Sequence, residues 1–152
     1  MYFEIVRADN RHKREINKLI YASKIGSGLR GPVSRNTWII RSGKQIVGFA
    51  EMEFISRQTA ILKGVAVDEE FRHRGIGSAL IKHRMKVARK RGIKVFALCT
   101  MYYLFNFYKR RGFKTCPRAY LPDYLRNYHQ FASQRYKKCA VMVKGIPVKR
   151  PD

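Results

Sequence analysis

The stretch "VAVDEEFRHRGIGSALIKHR" (residues 65–84) changes character twice along its length. It begins as an apolar run of strand type, passes Asp68, Glu69 and Glu70, and reaches "RHRGIG" (72–77) before its apolar positions take up helical spacing. Strand, glycine turn and helix together form a recipe for holding an anion. The first amides of a helix have no intrahelical acceptor, and its N-terminus carries partial positive charge. Gly75 and Gly77 remove Cβ atoms from that approach, while Arg72 and Arg74 add donors suited to phosphate oxygens. Two other phosphate cradles fit poorly. A dinucleotide fingerprint asks for a third glycine where Leu80 stands and for an acid about 20 residues on, where Lys94 to Phe96 stand. The GxxxxGK[ST] loop is absent. A turn built for packing alone would gain little from two arginines and two glycines in six residues.

The helix behind the turn, predicted over about 75–91, places Ile76, Leu80 and Val87 on one face, with Ala79 and His83 beside them. His83 reads as a packed or edge histidine. Lys82, Arg84, Lys86, Arg89, Lys90 and Arg91 read as a basic outer surface. Upstream, "YFEIVRA" (2–8) alternates as a strand, and Asp9 or Asn10 can cap a helix through "RHKREINKLIYASK" with Ile16, Leu19 and Ile20 inward. "IGSGLRGPVSRN" (25–36), with three glycines and a proline, reads as a mobile loop. "TWIIR" and "QIVGFAEMEFI" form a hairpin around "SGK", and "TAILKGVAV" (59–67) completes a meander. Downstream come a strand at 94–99, a short helix at 101–111, a helix from about Pro122 and a last strand near 138–145. The order β-α-β-β-β-α-β-α-β-α-β predicts one α/β (α+β) domain over 1–152, a mixed sheet of six to seven strands flanked by helices.

Charge is the anomaly of the composition. The formal net charge is +23, and residues 71–152 carry 21 Lys and Arg against Asp123 and Asp152 alone, or +19. Such a field draws anionic cofactors, acidic substrates or polyanions. No apolar run approaches the roughly 18 residues of a membrane span. Cys99, Cys116 and Cys139 are odd in number, lack CxxC spacing and lie in or beside apolar runs. They read as buried free thiols, with neither metal nor disulfide, in a cytoplasmic protein.

These residues resemble a known family. "VAVDEEFRHRGIGSALI" is similar to the acetyl-CoA-binding motif of the GNAT acetyltransferases, [RQ]-x-x-G-x-[GA], with Arg72, Gly75 and Gly77 in register. "FYKRRGF" (107–113) resembles the family's xYxxxGF element, and "VGFAEME" (47–53) the strand before the cofactor strand. The resemblance implies a splay between the strands at 59–67 and 94–99. It implies acetyl-CoA as cosubstrate, held by Arg72, His73, Arg74, Gly75, Ile76, Gly77 and Ser78, with the pantetheine arm along Val65, Ala66 and Val67. An N–H near Ala66 or Val67 would polarise the thioester carbonyl. Tyr108 takes the position of the general acid; its other reading is a core aromatic, on a face with Met101, Leu104 and Phe105. Many relatives carry a Glu where Ile61 stands here, so Glu51 or Glu53, in phase with Val47 and Phe49, is the candidate base. Their other reading is an exposed edge. Met101 stands where relatives often have Asn.

The acceptor is the less determined half. The segment with Leu121, Pro122, Arg135, Lys138 and Val141 resembles the acetyltransferase domain of N-acetylglutamate synthases, which implies a small amine or amino acid as acceptor. The +19 half keeps open a nucleic-acid partner, with aminoacyl-tRNA or a ribosomal protein as acceptor, and a non-catalytic binding module. No membrane partner is expected. The sequence is compatible with a homodimer.

Overall fold

A computed structural model describes residues 2–24, 26, 28–133 and 139–146. The expected basic run at 135–138, with Arg135 and Lys138, lies outside them. The elements are β1 (Phe3–Arg7), α1 (Lys13–Ala22), β2 (Thr37–Ser42), β3 (Gln45–Phe54), β4 (Thr59–Val67), α2 (Ile76–Lys90), β5 (Val95–Thr100), α3 (Phe105–Lys109), β6 (Lys114–Thr115), α4 (Asp123–Arg126), α5 (His129–Ala132) and β7 (Ala140–Lys144). They make a mixed seven-stranded sheet with helices flanking it. The chain falls into two compact units, residues 1–53 with 62–91, and residues 54–61 with 92–152. β4 contributes to both.

In the first unit the strand order is β1-β2-β3-β4. Asp9 caps the turn before α1 by accepting from the Arg11 amide at 2.9 Å. Ile16, Leu19 and Ile20 then pack with Ile39, Ile46 and Phe49 on one face of the sheet. On the other face Ile76 and Leu80 of α2 meet Ile40, Val47 and Ala50. The β2–β3 ladder slips at this point: Ile40 faces Gly48 and Arg41 faces Ile46, which leaves Val47 without a partner. One extra residue on β3 reverses the phase of everything beyond it. Val47 therefore packs on the α2 face and Phe49 on the α1 face, which corrects the expectation that they share one. Gly48 is needed beside the slip, because a Cβ there would lie 2.8 Å from Ile40 Cγ2 and 3.2 Å from Ile76 Cγ2.

Arg84 corrects the reading of α2 more sharply. Expected on the basic surface, it is 2% exposed. It stands one turn beyond Leu80 and two beyond Ile76, on the stripe that faces the core, whereas Val87 is only partly buried. The segment before β2 has no regular element among its described residues, as expected, but α1 and the turn before it hold it down. Asn17 Oδ1 accepts from the Leu29 amide at 2.7 Å, Asn10 Oδ1 from the Val33 amide at 2.8 Å, and Lys13 Nζ donates to Gly31 O at 2.6 Å.

In the second unit the order is β4-β5-β7-β6. β4 and β5 are parallel over three pairs, Thr59–Val95, Ala60–Phe96 and Ile61–Ala97. β7 runs antiparallel to both β5 and β6. Ile61, Ala97, Leu121, Leu125, Phe131 and Val141 form its core. The helix expected at 101–111 is shorter, a 3-10 turn at Tyr102–Leu104 followed by α3. The helix expected from Pro122 is two single turns, α4 and α5, because Tyr128 adopts an extended ψ of 135° between them. All three cysteines are free thiols; Cys116 is buried, while Cys99 and Cys139 are partly exposed, against the expectation that all would be buried. Among the described residues no helix is long and apolar enough to cross a membrane.

Candidate functional site

The glycine turn is built from β4 outward. The Asp68 amide donates to Val47 O at 2.8 Å, which fixes the strand end. The Asp68 carboxylate accepts from the Glu70 amide at 3.0 Å and starts a 3-10 turn at Glu69–Phe71. Arg72 is extended, its Nε donating to Val67 O at 3.4 Å, and Arg74 lies over the Phe71 ring at 5.0 Å. His73 and Gly75 take positive φ, 64° and 80°. Gly75 is the N-cap of α2. No side chain caps that end, and no acid stands in the first turn.

Arg72, His73, Arg74 and Gly75 are exposed, while Ile76 is buried in the α2-face core. The Ile76 side chain thus anchors the turn, leaving only its main chain for a ligand. Apart from Gly75 and its neighbours Arg74 and Ile76, no atom lies within 4 Å of the place a Gly75 Cβ would take, so no other part of the chain crowds that side of the turn. Two exposed guanidinium groups, an uncapped 15-residue helix and an open glycine suit a phosphate-bearing cosubstrate. Val65 and Val67 pack toward α2, and Ala66 packs with the α1-face cluster.

Within the same unit, Glu51 and Glu53 stand apart in character. Glu53 lies 3.8 Å from Lys63 Nζ of β4. Burial pushes the Glu51 carboxyl above the ordinary carboxylate value and the Glu53 charge adds to this, while Lys63 and Arg84 oppose it. Across the ladder Glu51 faces Thr37, which is fully buried and whose Oγ1 has no hydrogen-bond partner. The main chain behind Glu51 is held by Arg84, whose Nη1 donates to Glu51 O at 2.9 Å and to Lys63 O at 3.1 Å. His83 packs edge-on against Trp38 at 5.6 Å, and burial holds its imidazole below the ordinary histidine value. That agrees with a packed histidine.

Tyr108 belongs to the second unit. It is buried, with Phe107 and Phe113 edge-on at 5.0 and 5.8 Å, and its carbonyl accepts from the Phe113 amide at 3.1 Å. Met101 and Leu104 lie at the surface, so the expected apolar face of Met101, Leu104, Phe105 and Tyr108 does not form. Sequence reasoning missed Arg84, Thr37 and Lys63. Arg84 carried a readable signal, its helical spacing from Ile76 and Leu80. Thr37 and Lys63 become distinctive only through cross-strand registry. Among the described residues no group of His, Cys, Asp or Glu could hold a metal ion.

Residues 34–115 match the family described as acetyltransferase (GNAT) domain. An uncharacterised N-acetyltransferase of Chlorobaculum tepidum is 31% identical over 79 residues, 52% of this chain and 50% of that protein. The chain thus spans about half the length of that curated relative. N-acetylglutamate synthase from Neisseria gonorrhoeae, in complex with coenzyme A and N-acetylglutamate, shares the fold with a TM-score of 0.78 at 19% identity, over 95% of this chain and 35% of that one. The ribosomal-protein-S18-alanine N-acetyltransferase from Escherichia coli gives a TM-score of 0.66 at 17% identity, over 98% and 97% of the two chains.

Proposed function

The chain belongs to the GNAT acetyltransferase family, and from that premise we propose that it is an acetyl-CoA-dependent N-acetyltransferase acting, as one domain, on a primary amine. The observation that carries this reading is the turn at Arg72–Ser78: an uncapped, acid-free helix N-terminus, opened by Gly75 and flanked by exposed arginines. Bound acetyl-CoA would supply an acyl group already activated as a thioester. The amides from His73 to Ser78 hold its pyrophosphate, with Arg72 and Arg74 adding charge. The main chain of Val65 to Val67 would hold the pantetheine arm, and an N–H at Ala66 or Val67 would be placed to donate to the thioester carbonyl oxygen.

Two proton transfers fall to side chains. Tyr108 is assigned the proton that the leaving sulfur needs. Glu51 is assigned the proton of the acceptor ammonium, because its burial raises its basicity while Glu53 is engaged with Lys63. The acceptor assigned is a small molecule or amino acid, in line with the N-acetylglutamate synthase fold likeness. The +19 half supports a second reading, an acceptor on a ribosomal protein or aminoacyl-tRNA. The three free thiols suit a cytoplasmic setting.

Calorimetry tests the cosubstrate: wild type binds acetyl-CoA, and Gly75→Glu, which puts a carboxylate where phosphate should sit, abolishes binding. Equal affinity in the two proteins overturns the reading. An acetyl-transfer screen over amino acids, polyamines, peptides and aminoacyl-tRNA identifies the acceptor.

A further inference from the structure

We propose that Arg84 is a positioning residue for Glu51: its buried guanidinium ties together the two main-chain segments that carry Glu51 and Lys63. This rests on the assignment of Glu51 as the proton acceptor. Nη1 donates to Glu51 O at 2.9 Å and to Lys63 O at 3.1 Å, and Nε donates to Leu80 O at 3.3 Å on its own helix. Two carbonyls on neighbouring strands thereby take a side-chain donor. A guanidinium presents its donors in a rigid fork, so it fixes the spacing of both strands as well as charge. An arginine in an otherwise apolar stripe costs desolvation that a leucine or methionine would not. A packing role alone gives no account of it.

Position and charge act together here. The groups that bear on the Glu51 carboxyl are Glu53 on β3, Lys63 on β4 and Arg84 on α2. Lys63 is itself engaged with Glu53. Arg84 is the fully buried one of the two cations, and its charge favours ionised Glu51 against the effect of burial. Burial and the Arg84 charge thus act on the same carboxyl in opposite directions.

The test is a double-mutant cycle with a direct titration of Glu51. Arg84→Met and Arg84→Lys are each made in wild type and in Glu51→Gln, and kcat/KM is measured as a function of pH. Arg84→Lys keeps a buried cation and so provides a folded variant if Arg84→Met does not fold. Expected is a loss of roughly tenfold or more in the Glu51 background and little further loss in Glu51→Gln. Carbon-13 labelling of glutamate carboxyls, with Glu51→Gln to assign the resonance, should show the Glu51 midpoint moved upward in Arg84→Met and less so in Arg84→Lys. Equal losses in both backgrounds, or an unmoved Glu51 midpoint in the folded variants, overturn the proposal. Should the wild type transfer no acetyl group, the catalytic reading fails while the carboxyl titration still decides whether Arg84 governs Glu51.

Discussion

At the residue scale, the partly buried carboxyl of Glu51 makes stability depend on pH with a definite sign, which the proposed role of Glu51 as base would carry into the chemistry. Burial penalises its ionised form, so its folded midpoint lies above the unfolded one. The stability this group contributes is complete below the ordinary carboxylate value and is lost as pH rises through the raised midpoint. Glu51→Gln should therefore be more stable than wild type at neutral pH, with the gap closing in acid. Thermal melts across that range check it, and a gap that widens in acid would reverse the sign. The same substitution should remove the limb of the kcat/KM profile that rises with pH. Tyr108 presents the opposite case. Its ring packs in an aromatic cluster, as the core reading expects, while the proposed role as acid rests on the hydroxyl that an aromatic core residue of this type also carries. Tyr108→Phe keeps the ring and should lower kcat by roughly a hundredfold while acetyl-CoA affinity stays unchanged. Equal turnover by the two forms would remove Tyr108 as the acid.

At the element scale, two glycines near one helix end do different work. Gly75 needs a positive φ of 80° but has open space around it, whereas Gly48 has ordinary backbone geometry and no room for a Cβ. Gly75→Ala should cost about 1 kcal/mol of stability through backbone strain and weaken acetyl-CoA binding. Gly48→Ala should cost about 1–3 kcal/mol through overpacking against Ile40 and Ile76 and leave binding intact. Denaturant melts and calorimetry on both variants separate the effects, and equal loss of binding in both would mean that Gly48 also shapes the turn. The contrast shows what the sequence could tell. The strand–turn–helix pattern and the amphipathic face of α1 were legible because local spacing and propensity determine them. The slip at Val47 was not, because it depends on which residue of β2 faces which residue of β3, and no local pattern encodes that pairing. Arg84 was hidden for another reason: its residue type points to the surface, and only its place on the Ile76–Leu80 stripe points inward. The break between α4 and α5 was likewise hidden, since nothing in "RNYHQ" marks the extended backbone at Tyr128.

For the whole molecule the governing quantity is a formal net charge of +23, and it acts in opposite directions on stability and on ligand binding. Like charges repel in the compact chain, while the same field attracts a polyphosphate cosubstrate. Ion pairs such as Arg11–Asp9, Arg41–Glu4, Lys63–Glu53 and Arg126–Asp123 do little to offset the repulsion, since each involves an exposed or half-exposed group. Added salt should therefore raise Tm by screening repulsion and at the same time weaken acetyl-CoA binding by screening attraction. Melting scans and calorimetry between about 0.05 and 0.5 M sodium chloride measure both, since the Debye length shortens severalfold over that range. A Tm that falls with salt would show that the surface ion pairs outweigh the repulsion. An acetyl-CoA affinity indifferent to salt would mean that the amides of the turn hold the cosubstrate without help from the field, leaving the excess charge for another partner. A polyanion titrated in the same series would then distinguish that partner, because neutralising several phosphates gives a far steeper dependence on salt than one cosubstrate can.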